Sequence, residues 1–151
     1  MEKCNASPSR SEVLSYPPRV VRHQLNRGIE AKEIMATVLR SVKEIALRTI
    51  DNFAPELFQL NQKIWRNPEL CYEEKYAHEL LTTFFSEKGF EVTKHHTLDT
   101  AFRASSGLCK RRVVGLICEY DALPGIGHAC GHNLISEVGV GAALGKWLTH
   151  L

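Results

Sequence analysis

The 151 residues, 44% hydrophobic and 24% charged, have the composition of an ordinary globular domain. A chain of this length buries roughly two-thirds of its surface on folding and needs no disulfide or metal staple to hold together. The net charge of +2 lies entirely in residues 1–30, which hold five Lys/Arg and three Asp/Glu; the other 121 hold fourteen of each. This balance argues against a nucleic-acid partner, which would leave a dense basic stripe, and no apolar run of roughly 18 residues exists to span a membrane.

Residues 1–30 are expected to form a largely unstructured leader, because serines and prolines (Ser7, Pro8, Ser9, Ser11, Ser15, Pro17, Pro18) break any apolar period. They contain no apolar core of secretory-signal length. Arg10, Arg19, Arg22 and Arg27 among serines suggest a mitochondrial presequence as the competing reading, against which Glu2, Glu12 and the proline pair count. The five cysteines (Cys4, Cys71, Cys109, Cys118, Cys130) are odd in number and form no C-x-x-C pair. A reducing, cytoplasmic compartment is the expectation, and a zinc finger or thioredoxin-type site finds no support.

Order is expected from Ala31 onward. Ile34, Val38, Val42 and Ile45 recur at helical spacing, with Lys32, Arg40, Lys43 and Arg48 opposite. Asp51, Asn52 and Pro55 predict an interruption, and a new or kinked helix then buries Leu57, Leu60, Ile64 and Trp65. Asn67-Pro68 stops it. The next helix is the clearest: Tyr76, Ala77, Leu80, Leu81, Phe84 and Phe85 form a stripe, with Glu73 and Glu74 in the first turn, Lys88 in the last and Gly89 beyond. Trp65, Tyr76, Phe84 and Phe85 are expected in the core.

Residues 90–94 alternate as a half-buried strand does, 100–104 form a weaker candidate, and 105–112 are a polar connection. Val113 to Cys118 (VVGLIC) is a continuous apolar run suited to a strand covered on both faces. A last helix is expected over 134–148, its Gly139, Gly141 and Gly145 making it narrow enough to lie close against a sheet. The order of elements predicts an α/β fold around a mixed sheet.

Chemistry concentrates between the buried run and the last helix, in Glu119-Tyr120-Asp121-Ala122-Leu123-Pro124-Gly125-Ile126-Gly127-His128-Ala129-Cys130-Gly131-His132-Asn133. In open α/β sheets this is where ligands bind, beyond the carboxyl ends of the strands. Cys130 and His132 flank one glycine, so an extended turn directs both to one side, and a thiolate with an imidazole suits zinc. Asp121 can orient a ligating imidazole. The same residues also suit Cys130 as a nucleophile with His132 or His128 as its base. Ordinary packing is the third reading, and the residues alone leave these open.

The run EYDALPGIGHACGHN resembles the metal-binding segment of peptidase family M20, in particular its amidohydrolase and dipeptidase branch. A second block agrees: Ile64-Trp65-Arg66-Asn67-Pro68-Glu69-Leu70, then Tyr72-Glu73-Glu74 and Ala77, resembles that branch's earlier motif. The resemblance covers about residues 33–151 and implies the first part of a layered helix-sheet-helix metallohydrolase catalytic domain, without its lid domain. It implies Cys130 and His132 as metal ligands, Asp121 as the residue orienting the centre, and Glu119, Asn133 and His128 around them. It also implies two divalent ions, zinc first and manganese or cobalt as alternatives.

Two positions depart from the wider family. Glu119 stands where many members have histidine or aspartate, and Asn133 where the amidohydrolases usually have aspartate. The family's later Glu-Glu pair, which includes the general base, has no counterpart in the sequence. The expected parent activity is hydrolysis of the amide bond of small dipeptides with C-terminal Lys, Orn or Arg, β-alanyl ones included, by a homo-oligomer, with this chain inactive alone. The rivals are an N-acyl-amino-acid amidohydrolase and a catalytically dead module that associates with full-length subunits.

Overall fold

The computed structural model describes residues 18–107 and 113–149, with side chains described for 30–107 and 113–146. Residues 1–17, Cys4 among them, and the second half of the 105–112 connection, with Cys109, lie outside the described residues. The chain divides into two compact units, Met1–Arg40 and Ser41–Leu151.

Helix α1 spans Pro18–Arg66. Its first residues, from Pro18, fall within 1–30. Proline at the first helical position has a pre-set φ and needs no amide bond there, and no second proline follows until Pro55. In the first unit Ile34, Met35, Val38 and Leu39 are exposed. That unit holds no second described element to bury the stripe against.

In the second unit, α1 runs through Pro55 without the expected interruption. A proline inside a helix loses one hydrogen bond and costs about 3 kcal/mol. Partly buried Ile50 and Phe53 before it and buried Leu57, Leu60 and Ile64 after it pack into one core, which offsets that cost. Asn67 ends the helix: its N–H donates to the Ile64 carbonyl at 3.1 Å and its Nδ2 to the Lys63 carbonyl at 2.8 Å.

Helix α2 spans Lys75–Glu87 and buries Ala77, Leu81, Phe84 and Phe85 as its stripe predicts. Gly89 takes the left-handed φ of 82° just beyond it. Glu73 and Glu74 precede the helix rather than forming its first turn. Its N-terminus is satisfied from outside by Glu69, whose two carboxylate oxygens accept from the Tyr76 and Ala77 amides at 2.8 and 2.9 Å. Strands β1 (Glu91–Lys94) and β2 (Phe102–Ser105) form an antiparallel hairpin in which Glu91 faces Ser105 and Lys94 faces Phe102. Val92, Phe102 and Ala104 join the core from it.

The largest departure is residues 113–118. They form no strand among the described residues, and Val113 and Ile117 are 88% and 91% exposed. An apolar run becomes a covered strand only beside other strands, and no described strand flanks it. The α/β class holds, with a two-stranded antiparallel sheet in place of the expected mixed one.

Helix α3 spans His132–Thr149. Its small residues serve close approach, but chiefly to a helix: a Cβ at Gly141 would lie 3.4 Å from Leu57, and one at Gly145 3.4 Å from Ile50, both on α1. Val140 and Leu144 complete the core. Trp65 and Tyr76 are 54% and 40% exposed, so two of the four aromatics expected inside lie at the surface. No described helix is long and apolar enough to cross a membrane.

Candidate functional site

The two blocks that carry the resemblance meet in space. The Ala122 N–H donates to the Glu69 carbonyl at 2.7 Å, and Leu70 pairs with Ala122 as a parallel bridge. The chain then closes a tight loop in which Leu123 and Gly127 exchange backbone hydrogen bonds at 2.9 and 3.1 Å. Gly127, at φ 58°, sits over Pro68, whose Cβ would lie 3.8 Å from any added side chain.

The loop leads into a single 3-10 turn, η1, over His128–Cys130, and Gly131 ends it in the left-handed region at φ 82°. The extended turn expected around Gly131 is therefore not formed: a 3-10 turn precedes it and α3 follows at His132. Only glycine adopts such a φ at little cost, and the reversal brings Cys130 and His132 to the same residue. His132 Nδ1 lies 2.7 Å from Asp121 Oδ1, and the Cys130 thiol donates to the Asp121 carbonyl at 3.7 Å. Asp121 is thus the point on which both candidate ligands converge.

The neighbours divide by role. Glu119 is exposed and contributes its carbonyl, which accepts from Ser136 Oγ on α3 at 2.9 Å. Asn133 is buried and donates from Nδ2 to Asn61 Oδ1 at 3.0 Å, and Asn61 in turn donates to Glu137. His128 is buried, with the Ile64 backbone the described polar group facing its ring. Burial, with His132 nearby as a smaller cause, holds its pKa below the ordinary histidine value. Tyr120 stacks on Phe102 and donates to the Thr100 carbonyl. Burial, then the nearby Glu74 and Glu69, pushes its phenol up to about 12.

A cleft of about 440 Å³ opens beside this loop, lined by Asn61, Gln62, Trp65, Cys130, Asn133 and Leu134 among others. Asn61, Glu137 and the exposed Trp65 are not singled out as site residues by the sequence. Asn61 had a signal, being a polar residue at the centre of the Leu57, Leu60, Ile64 stripe. Glu137 had none.

The donor chemistry fits a transition metal. Asp121 holds the Nδ1 side of His132 and leaves Nε2 free, as ligating histidines are commonly held, and the Cys130 thiol lies on the same aspartate. The number does not complete a site: among the described residues no three His, Cys, Asp or Glu side chains converge to hold an ion, whereas catalytic zinc takes three protein ligands.

The fold and the loop together define an α/β chain with a Cys-x-His donor pair oriented by an aspartate at a helix start. No protein-family profile matches the chain. It is 47% identical over 120 residues to the human (Homo sapiens) Xaa-Arg dipeptidase, covering 71% of this chain and 28% of that protein. To the mouse (Mus musculus) Xaa-Arg dipeptidase it is 45% identical over 131 residues, covering 80% and 30%. To a subunit of the p-aminobenzoyl-glutamate hydrolase of Escherichia coli (strain K12) it is 36% identical over 106 residues, covering 57% and 22%. The chain thus spans less than a third of the length of these curated relatives. These relatives, two dipeptidases and an amide hydrolase subunit by name, bear out the resemblance carried by the two motifs.

Proposed function

We propose that the chain carries part of a metal-dependent site for hydrolysing the amide bond of small dipeptides with a basic C-terminal residue. The observation that carries this reading is the convergence of His132 and Cys130 on Asp121. The relatives' names supply the substrate class. Cys130 and His132 hold a divalent ion, zinc first and manganese or cobalt as alternatives, with a second ion beside it. When bound, such ions polarise the scissile carbonyl and lower the pKa of a water.

The chain's own residues prepare that chemistry. Asp121 keeps the His132 proton on Nδ1, so Nε2 presents its lone pair. The cleft is within the size range of small-molecule sites, and the exposed face of Trp65 offers a cationic side chain an aromatic wall. A reducing cytoplasm keeps Cys130 a free thiol.

With two donors, the 151-residue chain is expected to bind Zn²⁺ weakly and to release no lysine from β-alanyl-lysine. Isothermal titration with Zn²⁺ checks the first point: Cys130→Ala and His132→Ala should each weaken binding tenfold or more. Zinc binding that survives both substitutions sinks the ligand assignment, and metal-dependent turnover by the chain alone sinks the part-site reading. The Asp121–His132 pair beside a thiol also suits a cysteine nucleophile with an oriented base. Activity that persists in a chelator and vanishes in Cys130→Ala would establish that alternative.

A further inference from the structure

Buried polar side chains are costly unless paired. Asn61 and Asn133 are both buried, and they form one directed chain with Glu137: Asn133 Nδ2 to Asn61 Oδ1 at 3.0 Å, then Asn61 Nδ2 to Glu137 Oε2. The direction follows from chemistry. A carboxylate only accepts, whereas an amide has one accepting and one donating end. Glu137 therefore turns the Asn61 amide nitrogen toward itself and the Asn61 carbonyl toward the first turn of α3. Whatever stands at position 133 must then donate. Asparagine does; an aspartate there would set its carboxylate against the Asn61 carbonyl, or turn that carbonyl onto Glu137.

We propose that Asn61 and Glu137 are positioning residues that, through Asn133, fix the first turn of α3 and with it the ring of His132. Asn61 reaches the turn from α1, while Glu137 reaches back from one turn further along α3. The three side chains thereby clamp the start of α3 to α1 beside the cleft, which Asn61 and Asn133 line. The polarity set by Glu137 makes a donor at 133 obligatory.

The test uses the full chain, Zn²⁺ as the probe, and four proteins: wild type, Asn133→Asp, Glu137→Gln and the double variant. Its metal arm rests on the assignment of Cys130 and His132 as ligands. Asn133→Asp should weaken zinc binding about tenfold, as loss of a ligand-orienting contact does. Glu137→Gln should cost about twofold. Adding it to Asn133→Asp should recover most of the loss, because a glutamine at 137 can donate to a reversed Asn61. A double variant that binds no better than Asn133→Asp, with native circular dichroism throughout, overturns the proposal.

Should wild type bind no zinc, the ligand assignment fails and the metal-free melts decide the relay. Asn133→Asp should then melt about 4 °C or more below wild type, with Glu137→Gln restoring most of the shift. Additive losses would overturn it.

Discussion

Single side chains at two histidines and a glutamate show how little separates a structural contact from a titrating one. Glu69 lies in the block that resembles the M20 motif, and its observed work is mechanical: it satisfies two orphan amides of α2 while its carbonyl pins Ala122. His78, on α2, is buried and stacks on His95 with ring centroids 4.8 Å apart. Its Nε2 accepts from the His95 N–H at 3.5 Å, and the Phe102 ring lies in a T-shaped contact with centroids 6.0 Å apart. Burial first, then His95 and Lys94, lowers its pKa; Glu79 and the Ala101 backbone oppose them more weakly. The folded chain therefore binds a proton at His78 less readily than the unfolded chain. By linkage, stability rises with pH through this window: the neutral ring costs nothing above about 6.5, and stability is lost as pH falls below that ordinary value. His78→Gln cannot titrate. Its melting temperature should fall less between pH 7.5 and pH 5.5 than that of wild type. An unchanged difference would show that His78 does not set the slope.

Among the elements, α3 shows how three glycines in one helix meet different neighbours. Glycine costs about 1 kcal/mol against alanine in a helix interior, so Gly145→Ala should stabilise by roughly 0.5–1 kcal/mol, its new Cβ meeting Ile50 at 3.4 Å in ordinary contact. Gly139 differs, because a Cβ there would lie 2.0 Å from Cys118 Sγ and 3.3 Å from Cys118 Cβ. Overpacking costs about 1–3 kcal/mol, which outweighs the propensity gain, so Gly139→Ala should destabilise by about 1 kcal/mol. Cys118→Ala in the same chain should return most of it. Urea melts of the four chains check both signs; a stabilising Gly139→Ala would mean that Cys118 rotates away freely.

The same helix marks what could be read in advance. The existence of α3, α2 with its Gly89 stop, the two short strands and the Asp121–His132 segment were legible, because each is written in local periodicity, turn residues or motif. The surface that Gly141 and Gly145 face was not, since Leu57 and Ile50 lie far away in sequence. Continuity through Pro55 was also hidden, because burial on both sides overrides a local penalty. The Asn61–Glu137 bond joins residues 76 positions apart, which no local pattern reports. Asn133, a departure from the family by sequence, is the donor that this bond requires.

At the scale of the whole molecule, the segment from Val113 to Ile117 sets the chain's behaviour in solution. Its last anchor is Cys118, held against Gly139 and partly buried, with its thiol pKa raised first by burial and then by Glu119. Before that anchor, Val113, Val114, Leu116 and Ile117 are all exposed and make no ladder with any described strand. An exposed apolar run outside any ladder is a template for pairing with another chain, and its β-branched residues, with no charge among them, favour that outcome. The purified chain is therefore expected to self-associate as its concentration rises. Ile117→Lys places a charge at the most exposed of these positions without touching the core, and exposed substitutions of this kind shift stability by no more than about 0.5 kcal/mol. Light scattering across a concentration series should show a smaller mean mass for the variant, while the urea midpoint stays the same. A wild-type chain that remains monomeric throughout, with one sharp cooperative transition, would show that residues 113–117 are covered in solution.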